Sequence, residues 1–511
     1  MQEVMTIKIV NAIKLEDAIK RIRALSPDSR VVQCHGVFDL VHPGHLEHFE
    51  EARKLGEVLV VSITADEFIN KGPNRPYFNQ VRRARFLAAL EMISYVYIVQ
   101  SESAVEAIKL IKPDFYVKGP DYRELNDDIT GKIELEKETV EKFGGKLVFT
   151  DGFTSSSTSL INNALISQDS ETRRWVNEFK KQFTMSEVFN WIDKLSSVDV
   201  GILGEAIIDV YTNCRPLAKS SKDPILAFQR FETQSFMGGT LAIADSCSKW
   251  SRKTSVYSVT GKNFREQHSK LTKETNFKSH FFEIEGRPTI IKHRFVDINS
   301  GNRVFEYYDY QPDVLDTSTQ FEIFELLDLK SKPNSLLLLA DYGHGFFGKD
   351  LIRDLCSSDA FLCVNTQSNA GNRGFNTFSK YPRIDLLSLN GGELELELRK
   401  RDLDYREVVP KIMREKNCKY AVVTLGGGGL LTFDSSGQSA STPALASKVV
   451  DKVGAGDSVL AISSMLAFLE APKEIIGLLS SVVAAFEVSQ LGHQESMSVV
   501  RMKKYINGIL G

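Results

Sequence analysis

The chain has 511 residues, too many for one hydrophobic core, because single domains stop growing at about 250–300 residues; two or three domains are expected. Apolar residues make up 42% and charged residues 25%, and a net charge of −3 gives no electrostatic reason to expect a nucleic acid or an anionic membrane as partner. Six scattered cysteines with no C-x-x-C pair argue against a disulfide framework and read as free thiols of a reducing cytoplasm.

The N-terminus, "MQEVMTIKIVNAIKLEDAIKRIR", lacks the basic start and unbroken apolar core of a secretory signal. Residues 15–25, "LEDAIKRIRAL", have helical apolar spacing, and "RVVQC" (30–34) reads as a strand closed by glycine. An amphipathic helix is expected at 45–56, a buried strand at 57–64, a helix at 80–93, a strand at 95–100, a helix at 103–113 and strands at 114–119 and 145–150. Strands that are near-continuous apolar runs, alternating with helices, predict a parallel sheet covered on both faces. Around residue 170 the alternation gives way to a charged stretch, read as a linker over 166–190 between a domain at 1–165 and one at 191–511. The second domain opens with "VDVGILGEAIID" (198–209) and is again α/β. Its piece 262–312 contains "RPTIIKHRFVD" and "NRVFEYYDY", which read as paired strands of a small antiparallel lid. The apolar run 459–469 is too short for a bilayer, which takes about 20 residues, so a cytoplasmic location is expected.

The chemistry concentrates in two loops. In "CHGVFDLVHPGH" (34–45) three of the nine histidines fall between glycines and a proline, where a strand gives way to a helix. A metal site is one reading, but no cysteine or carboxylate pair completes the ligand set. An incidental loop is another. Position favours a third: ligands collect at the carboxyl ends of parallel strands, and a helix N-terminus attracts phosphate. His42 and His45, three apart, can aim two imidazoles at one anion. The second loop is "VVDKVGAGDSVLA" (449–461), in which Gly454, Ala455 and Gly456 can form a cradle of N–H groups and Asp457 sits on the first helical turn. A helix-capping carboxylate is the simpler account of Asp457.

"GVFDLVHPGH" resembles the G-x-F-D-x-x-H-x-G-H signature of nucleotidyltransferases that join a nucleoside triphosphate to a small phosphorylated acceptor. With "NKGPNRPYFNQVRRARFLAAL", "IKPDFYVKGPDY" and "SSSTSLI" following in order, residues 28–163 resemble the adenylyltransferase module of bifunctional heptose kinase/adenylyltransferases. The resemblance implies that His42 and His45 hold the triphosphate and stabilise departing pyrophosphate. It also implies that Gly36 and Phe38 line the nucleotide site, that Lys71 and Arg83 bind phosphate, that Lys118 and Asp121 edge nucleotide and acceptor, and that Ser157 and Thr158 meet the phosphates. Residues 195–505 resemble ribokinase-like (PfkB-type) sugar kinases. Their signature makes Asp457 the base that takes a sugar hydroxyl proton, and Gly454, Ala455 and Gly456 the phosphoryl cradle. By the same resemblance Asp209, Gly238 and Gly239 bind sugar, Asn390 and Glu393 lie near Mg²⁺ or phosphate, and Thr424 and Gly426 lie on the nucleotide side.

Three departures stand out. Ala242 replaces the asparagine of G-G-x-x-N, His344 replaces the lysine of D-Y-x-K-G, and "VNTQSNAGNRG" (364–374) stands where a D-P-K-type turn is expected. The nucleotidyltransferase also precedes the kinase, the reverse of the heptose enzymes. The expectation is a two-domain α/β enzyme: a Rossmann-like nucleotidyltransferase followed by a ribokinase-like sandwich with a small β lid. It would use Mg²⁺ carried by the nucleotide, with no dedicated protein metal site, and ATP or CTP with a sugar phosphate, as a homodimer. The alternatives are a cytidylyltransferase making a CDP-sugar or CDP-polyol, and a C-terminal half that binds sugar without turnover.

Overall fold

The structure is a computed structural model that describes residues 8–69, 76–119, 133–150, 170–220, 222–267, 271, 275–311, 313–329, 331 and 335–511. Lys71, Asp121, Ser157 and Thr158 lie outside the described residues. The chain divides into two compact units, residues 1–169 with 503–511, and residues 170–502.

The first unit is built on six parallel strands: β1 (Ile9–Val10), β2 (Val31–Gly36), β3 (Val58–Thr64), β4 (Tyr95–Val99), β5 (Phe115–Lys118) and β6 (Lys146–Phe149). Their order is β1-β4-β3-β2-β5-β6. The helices are α1 (Ala12–Leu25), α2 (Pro43–Arg53), α3 (Gln80–Ala88), α4 (Val105–Ile111) and α5 (Ile133–Lys142). The chain runs β2 to β3 on one side and later places β5 on the other, so the order reverses beside β2. The loop that leaves β2 therefore opens at the switch point, where α/β sheets take their ligands. β3 is buried along its whole length, as its unbroken apolar sequence requires. α2 begins at Pro43, two residues earlier than the apolar spacing suggests, because proline suits the first helical position.

The second unit has a nine-stranded sheet in the order β11-β10-β7-β14-β15-β16-β17-β18-β19, parallel as far as β17 and antiparallel for the last two strands. These strands are β7 (Asp199–Gly204), β10 (Lys253–Thr260), β11 (Lys278–Glu283), β14 (Leu336–Asp341), β15 (Phe361–Thr366), β16 (Leu386–Asn390), β17 (Tyr420–Thr424), β18 (Leu430–Phe433) and β19 (Ser439–Thr442). A second sheet, in the order β13-β12-β8-β9, consists of β8 (Ala206–Lys219), β9 (Leu226–Gly239), β12 (Ile290–Asp297) and β13 (Arg303–Asp309).

This sheet corrects the lid expected from the sequence. It has four strands rather than one pair, and β8 runs parallel to β12. The opening stretch "VDVGILGEAIID" forms two strands in two sheets, with Glu205 between them. Gly204 has φ +143°, and a Cβ there would come within 2.1 Å of the Ala340 carbonyl oxygen, so only glycine allows the change of sheet.

The stretch expected to link the domains, 166–190, is helical from residue 170 onward, in α6 (Ser170–Gln182) and α7 (Met185–Lys194). Val176 and Phe179 form a narrow buried stripe that the surrounding lysines and arginines hide in sequence, and Trp175 Nε1 donates to the Ser441 carbonyl at 2.8 Å. Helix α13 (Ala455–Phe468) is the opposite case. Leu460, Ile462, Met465 and Leu466 are each 0% exposed, and burying each contributes about 1.5–3 kcal/mol. That anchors the loop before α13, where the candidate chemistry sits.

Candidate functional site

In the first unit, β2 delivers Gly36 to the switch point and the chain then turns sharply. Phe38 has φ +47° and is buried, its ring centroid 5.2 Å from that of His45 and 5.0 Å from Phe49. A Cβ on Gly36 would meet the Phe38 ring at 3.1 Å, so glycine lets this turn close. His42 and His45 face each other across the first turn of α2 with ring centroids 3.9 Å apart, and the His42 backbone N–H donates to His45 Nδ1 at 3.4 Å. Among the described residues, neither buried ring nitrogen of His42 has a hydrogen-bond partner, and burial lowers its pKa. A buried imidazole of this kind at a helix N-terminus is chemically suited to an anionic ligand.

Arg83 is not among these ligands, which corrects the sequence expectation. Its side chain is fully buried: Nε donates to Phe78 O (3.0 Å), Nη1 to Val37 O (2.6 Å) and Nη2 to Thr64 O (2.8 Å) and Asp66 Oδ1 (2.7 Å). All three guanidinium nitrogens are engaged by protein, so Arg83 ties the histidine loop to β3 instead of meeting phosphate. Asp39, inside the motif, accepts from Tyr77 N (2.7 Å) and Phe78 N (2.9 Å) and completes the same tie. Lys118 lies at the end of β5, paired with Glu136 at 2.8 Å; Glu136 also accepts from Tyr116 Oη (2.9 Å) and Ala104 N (3.0 Å).

In the second unit, Gly454 has φ +86° and starts α13, which puts Asp457 on the first turn. Asp457 Oδ1 accepts from Tyr342 Oη (2.9 Å) and Gln367 Nε2 (2.6 Å), and burial pushes its pKa up to about 7. A cavity of about 400 Å³ opens beside it. Asp209, Gly239, Asn390, Glu393 and Thr424 line it together with Gly454, Gly456 and Asp457. Gly238 touches this site from behind, since a Cβ there would meet Asp209 Oδ2 at 2.6 Å. Asn390 and Glu393 form a reciprocal helix cap (Glu393 N to Asn390 Oδ1, 2.8 Å; Asn390 N to Glu393 Oε2, 3.0 Å), while Glu393 Oε1 accepts from Ser368 N at 3.0 Å. Gly426 follows Thr424 with φ +58° and open space around it.

Several residues here were not legible in sequence. Asp209 is joined by an ion pair to Arg294 of β12. Asp451, which opens the loop, is joined to Arg303 of β13 and accepts from Tyr211 Oη at 2.6 Å. The segment that replaces the expected D-P-K-type turn supplies Gln367 to Asp457, and Asn369 and Asn372 to the Tyr342 carbonyl (2.8 and 2.7 Å). His344, in place of the family lysine, is 1% exposed, with its pKa pushed down to about 4 mainly by burial.

Behind the cradle, a Cβ on Gly454 would meet Glu487 Oε1 at 2.8 Å. His493 bridges that carboxylate (3.1 Å) to Asp245 (3.2 Å), and although burial opposes it, these two acids raise its pKa to about 10. The sign follows from linkage: the contribution is complete below the unfolded value of about 6.5 and is lost as pH rises through about 10. His493→Gln is therefore expected to lower the thermal midpoint of the second unit at pH 6 and to flatten its fall between pH 7 and 10. A wild-type midpoint with no such alkaline fall beyond that of the variant contradicts this.

A family model described as cytidylyltransferase-like matches residues 34–164, and one described as pfkB family carbohydrate kinase matches residues 199–499. The first unit is similar to "Bifunctional protein HldE" of Syntrophotalea carbinolica, 38% identical over 133 residues and covering 26% of each chain. It is also similar to that of Aliarcobacter butzleri, 39% identical over 134 residues, covering 25% of this chain and 26% of that one. These matches span about a quarter of the relatives' length. In fold, the chain is similar to phosphofructokinase-2 from Escherichia coli, with a TM-score of 0.51 and 18% identity over 61% of this chain and 99% of that one. The chain is an enzyme with a nucleotidyltransferase-like unit and a carbohydrate kinase unit. Over its larger part it belongs to the pfkB family of carbohydrate kinases, with a cytidylyltransferase-like unit placed ahead of the kinase.

Proposed function

We propose that the chain makes a nucleotide-activated sugar in two steps. The second unit phosphorylates a sugar or sugar phosphate with ATP. The first transfers a nucleotidyl group, from ATP in preference to CTP, to a sugar 1-phosphate of the manno-heptose type and releases pyrophosphate. The observation that carries the kinase step is Asp457, held by Tyr342 and Gln367 at the wall of a cavity that Asp209 and Thr424 also line. A carboxylate with a pKa of about 7 is a general base matched to neutral pH. It takes the proton of the attacking hydroxyl while Gly454, Ala455 and Gly456 receive the transferring phosphoryl. Glu393 lines the same cavity and would be the residue that helps hold a magnesium ion brought in with the nucleotide. When bound, such an ion would supply neutralisation of phosphate charge.

In the first unit a sugar-phosphate oxygen attacks the α-phosphorus, and His42 and His45 stabilise the charge on departing pyrophosphate. Gly36 and Phe38 shape the turn around the nucleotide. Lys71, Lys118, Asp121, Ser157 and Thr158 are proposed to complete the site around nucleotide and acceptor. The heptose assignment is supported by the identity to the relatives named above over this unit.

The Asp209–Arg294 pair favours a second reading, in which the kinase half binds sugar without turnover, because the sugar-binding carboxylate already has a partner. Asp457 distinguishes the two, since a binding module has no use for a base. We also propose a cytoplasmic homodimer formed through the outer face of the lid, where Phe231, Phe305 and Tyr307 are exposed; sedimentation of the full chain checks this. Among the described residues no helix is long and apolar enough to cross a membrane.

The decisive experiment is a pyrophosphate-release assay with ATP or CTP and a panel of sugar 1-phosphates that includes both anomers of manno-heptose 1-phosphate. Release with ATP and one heptose anomer is expected. Release only with CTP, or only with another sugar, overturns the heptose assignment and leaves the histidine-loop chemistry standing.

A further inference from the structure

The lid sheet presents two faces, because side chains alternate along a strand. On β12, Lys292 and Arg294 are buried while His293 and Phe295 are partly exposed. Lys292 pairs in register with Asp209 of β8 and Tyr308 of β13, and Arg294 with Glu306 of β13. Lys292, Arg294, Arg303, Glu306 and Tyr308 all line the cavity beside Asp457. The two arginines are neutralised by direct ion pairs, Arg294 with Asp209 and Arg303 with Asp451.

Lys292 is different. It is 7% exposed, yet its ammonium makes no hydrogen bond or ion pair with any described residue. It rests over the rings of Tyr308 (5.4 Å) and Tyr342 (5.6 Å), and Tyr342 is the residue whose hydroxyl holds Asp457. Burying an ammonium without a partner is unfavourable, and the balance is restored when an anion enters the cavity. The other unpaired cation on the cavity wall, Lys452, is exposed on the loop before the cradle and carries no such penalty.

Lys292 also accounts for the missing family lysine. His344 is buried and neutral, so position 344 supplies no charge; the nearby Lys292 cation is, after burial, the next cause of that neutrality. A second cation at 344 would be repelled by Lys292 and Arg287, whose charges add to burial in keeping His344 neutral.

We propose that Lys292, reaching in from the lid, is the catalytic cation that contacts the transferring phosphoryl group from the side opposite the Gly454–Gly456 cradle. This rests on the reading of the second unit as a sugar kinase. In the step itself the acceptor oxygen bonds to the γ-phosphorus and its proton passes to the Asp457 carboxylate. The bond from phosphorus to the ADP oxygen breaks, and ADP leaves with the electron pair. Lys292 transfers nothing; it neutralises charge on the equatorial oxygens while bonding to phosphorus is loose.

The test uses the full chain and the variants Lys292→Met and Lys292→Met/His344→Lys. Calorimetry measures binding of Mg·ADP alone and with aluminium fluoride, a mimic of the transferring group, and turnover is measured with a sugar and sugar-phosphate panel. Lys292→Met is expected to bind Mg·ADP within about threefold of wild type, which also shows that the site is folded. It should lose at least about tenfold of the affinity added by aluminium fluoride, and about 100-fold in kcat with little change in the sugar KM. The double variant should regain part of both losses. If Lys292→Met keeps the aluminium fluoride enhancement and turns over the sugar normally, the inference is wrong and the kinase reading stands. If the wild type turns over nothing in the panel but shows the enhancement, and Lys292→Met loses it, the inference stands and the sugar assignment fails. No enhancement in the wild type overturns both.

Discussion

Asp457→Asn is expected to lower phosphoryl transfer by about 10³-fold, within the 10²–10⁴-fold that a positioned general base contributes, and to leave pyrophosphate release by the first unit unchanged. Asparagine keeps an acceptor oxygen where Tyr342 and Gln367 both donate, so the local geometry survives and only the proton acceptor is lost. The loss should appear in kcat and not in the KM for ATP. The pH profile adds an independent check. Burial raises the Asp457 pKa to about 7, so the wild-type rate should fall about tenfold per unit below pH 7 and level off above it, a dependence absent from the residual rate of the variant.

Stability moves the other way. A carboxylate whose folded pKa is raised contributes its full share of stability below its unfolded value, near 3.8, and loses it as pH rises through about 7. Asp457→Asn should therefore unfold at a higher temperature than wild type at pH 8, with the difference shrinking as pH falls and vanishing only below about pH 3.8. A variant that turns over sugar at the wild-type rate removes the base mechanism. One that loses activity together with ADP binding marks Asp457 as structural.

The difference between what the sequence disclosed and what it concealed follows from chain separation. The histidine loop and the G-A-G-D loop are each continuous, so one strand-to-helix junction carries all their residues and spacing alone locates them. The partners of Asp457 come from residues 342 and 367, and the cations around Asp209 come from residues 292 and 294. No local pattern joins these positions. They converge only because β14 and β15 lie side by side in the main sheet and β12 crosses to pair with β8. The lid was half legible for a related reason. β12 and β13 are close in sequence and pair as a hairpin, whereas β8 reads as the continuation of β7 until Gly204 turns it into another sheet. Arg83 shows a different limit. Charge is written in the sequence and burial is not, so an arginine within "QVRRAR" looks like an exposed phosphate ligand.

Arg83 also gives the largest expected effect on the first unit. Its guanidinium holds three carbonyls, those of Val37, Thr64 and Phe78, and the Asp66 carboxylate, with no exposure of its own side chain. Arg83→Met fits the volume roughly but leaves those buried acceptors unpaired and Asp66 without its cation. Leaving a buried hydrogen-bond acceptor unpaired costs about 1–3 kcal/mol each, a large share of a domain's typical stability of about 5–15 kcal/mol, while the partly exposed Asp66 adds less. The Val37 carbonyl lies next to Phe38, whose positive φ sets the turn that brings His45 beside His42. Releasing it should loosen the histidine pair before the sheet unfolds. Pyrophosphate release is thus expected to fall with a lower thermal midpoint for the first unit and faster amide exchange at residues 36–39, while phosphoryl transfer in the second unit persists. A phosphate ligand behaves otherwise: its loss raises the nucleotide KM and leaves the fold intact. Arg83→Met with an unchanged midpoint and a raised KM would restore Arg83 to the phosphate site. His45→Ala provides the contrast within the same loop, and is expected to slow pyrophosphate departure by about 10²–10³-fold with a smaller loss of stability than Arg83→Met.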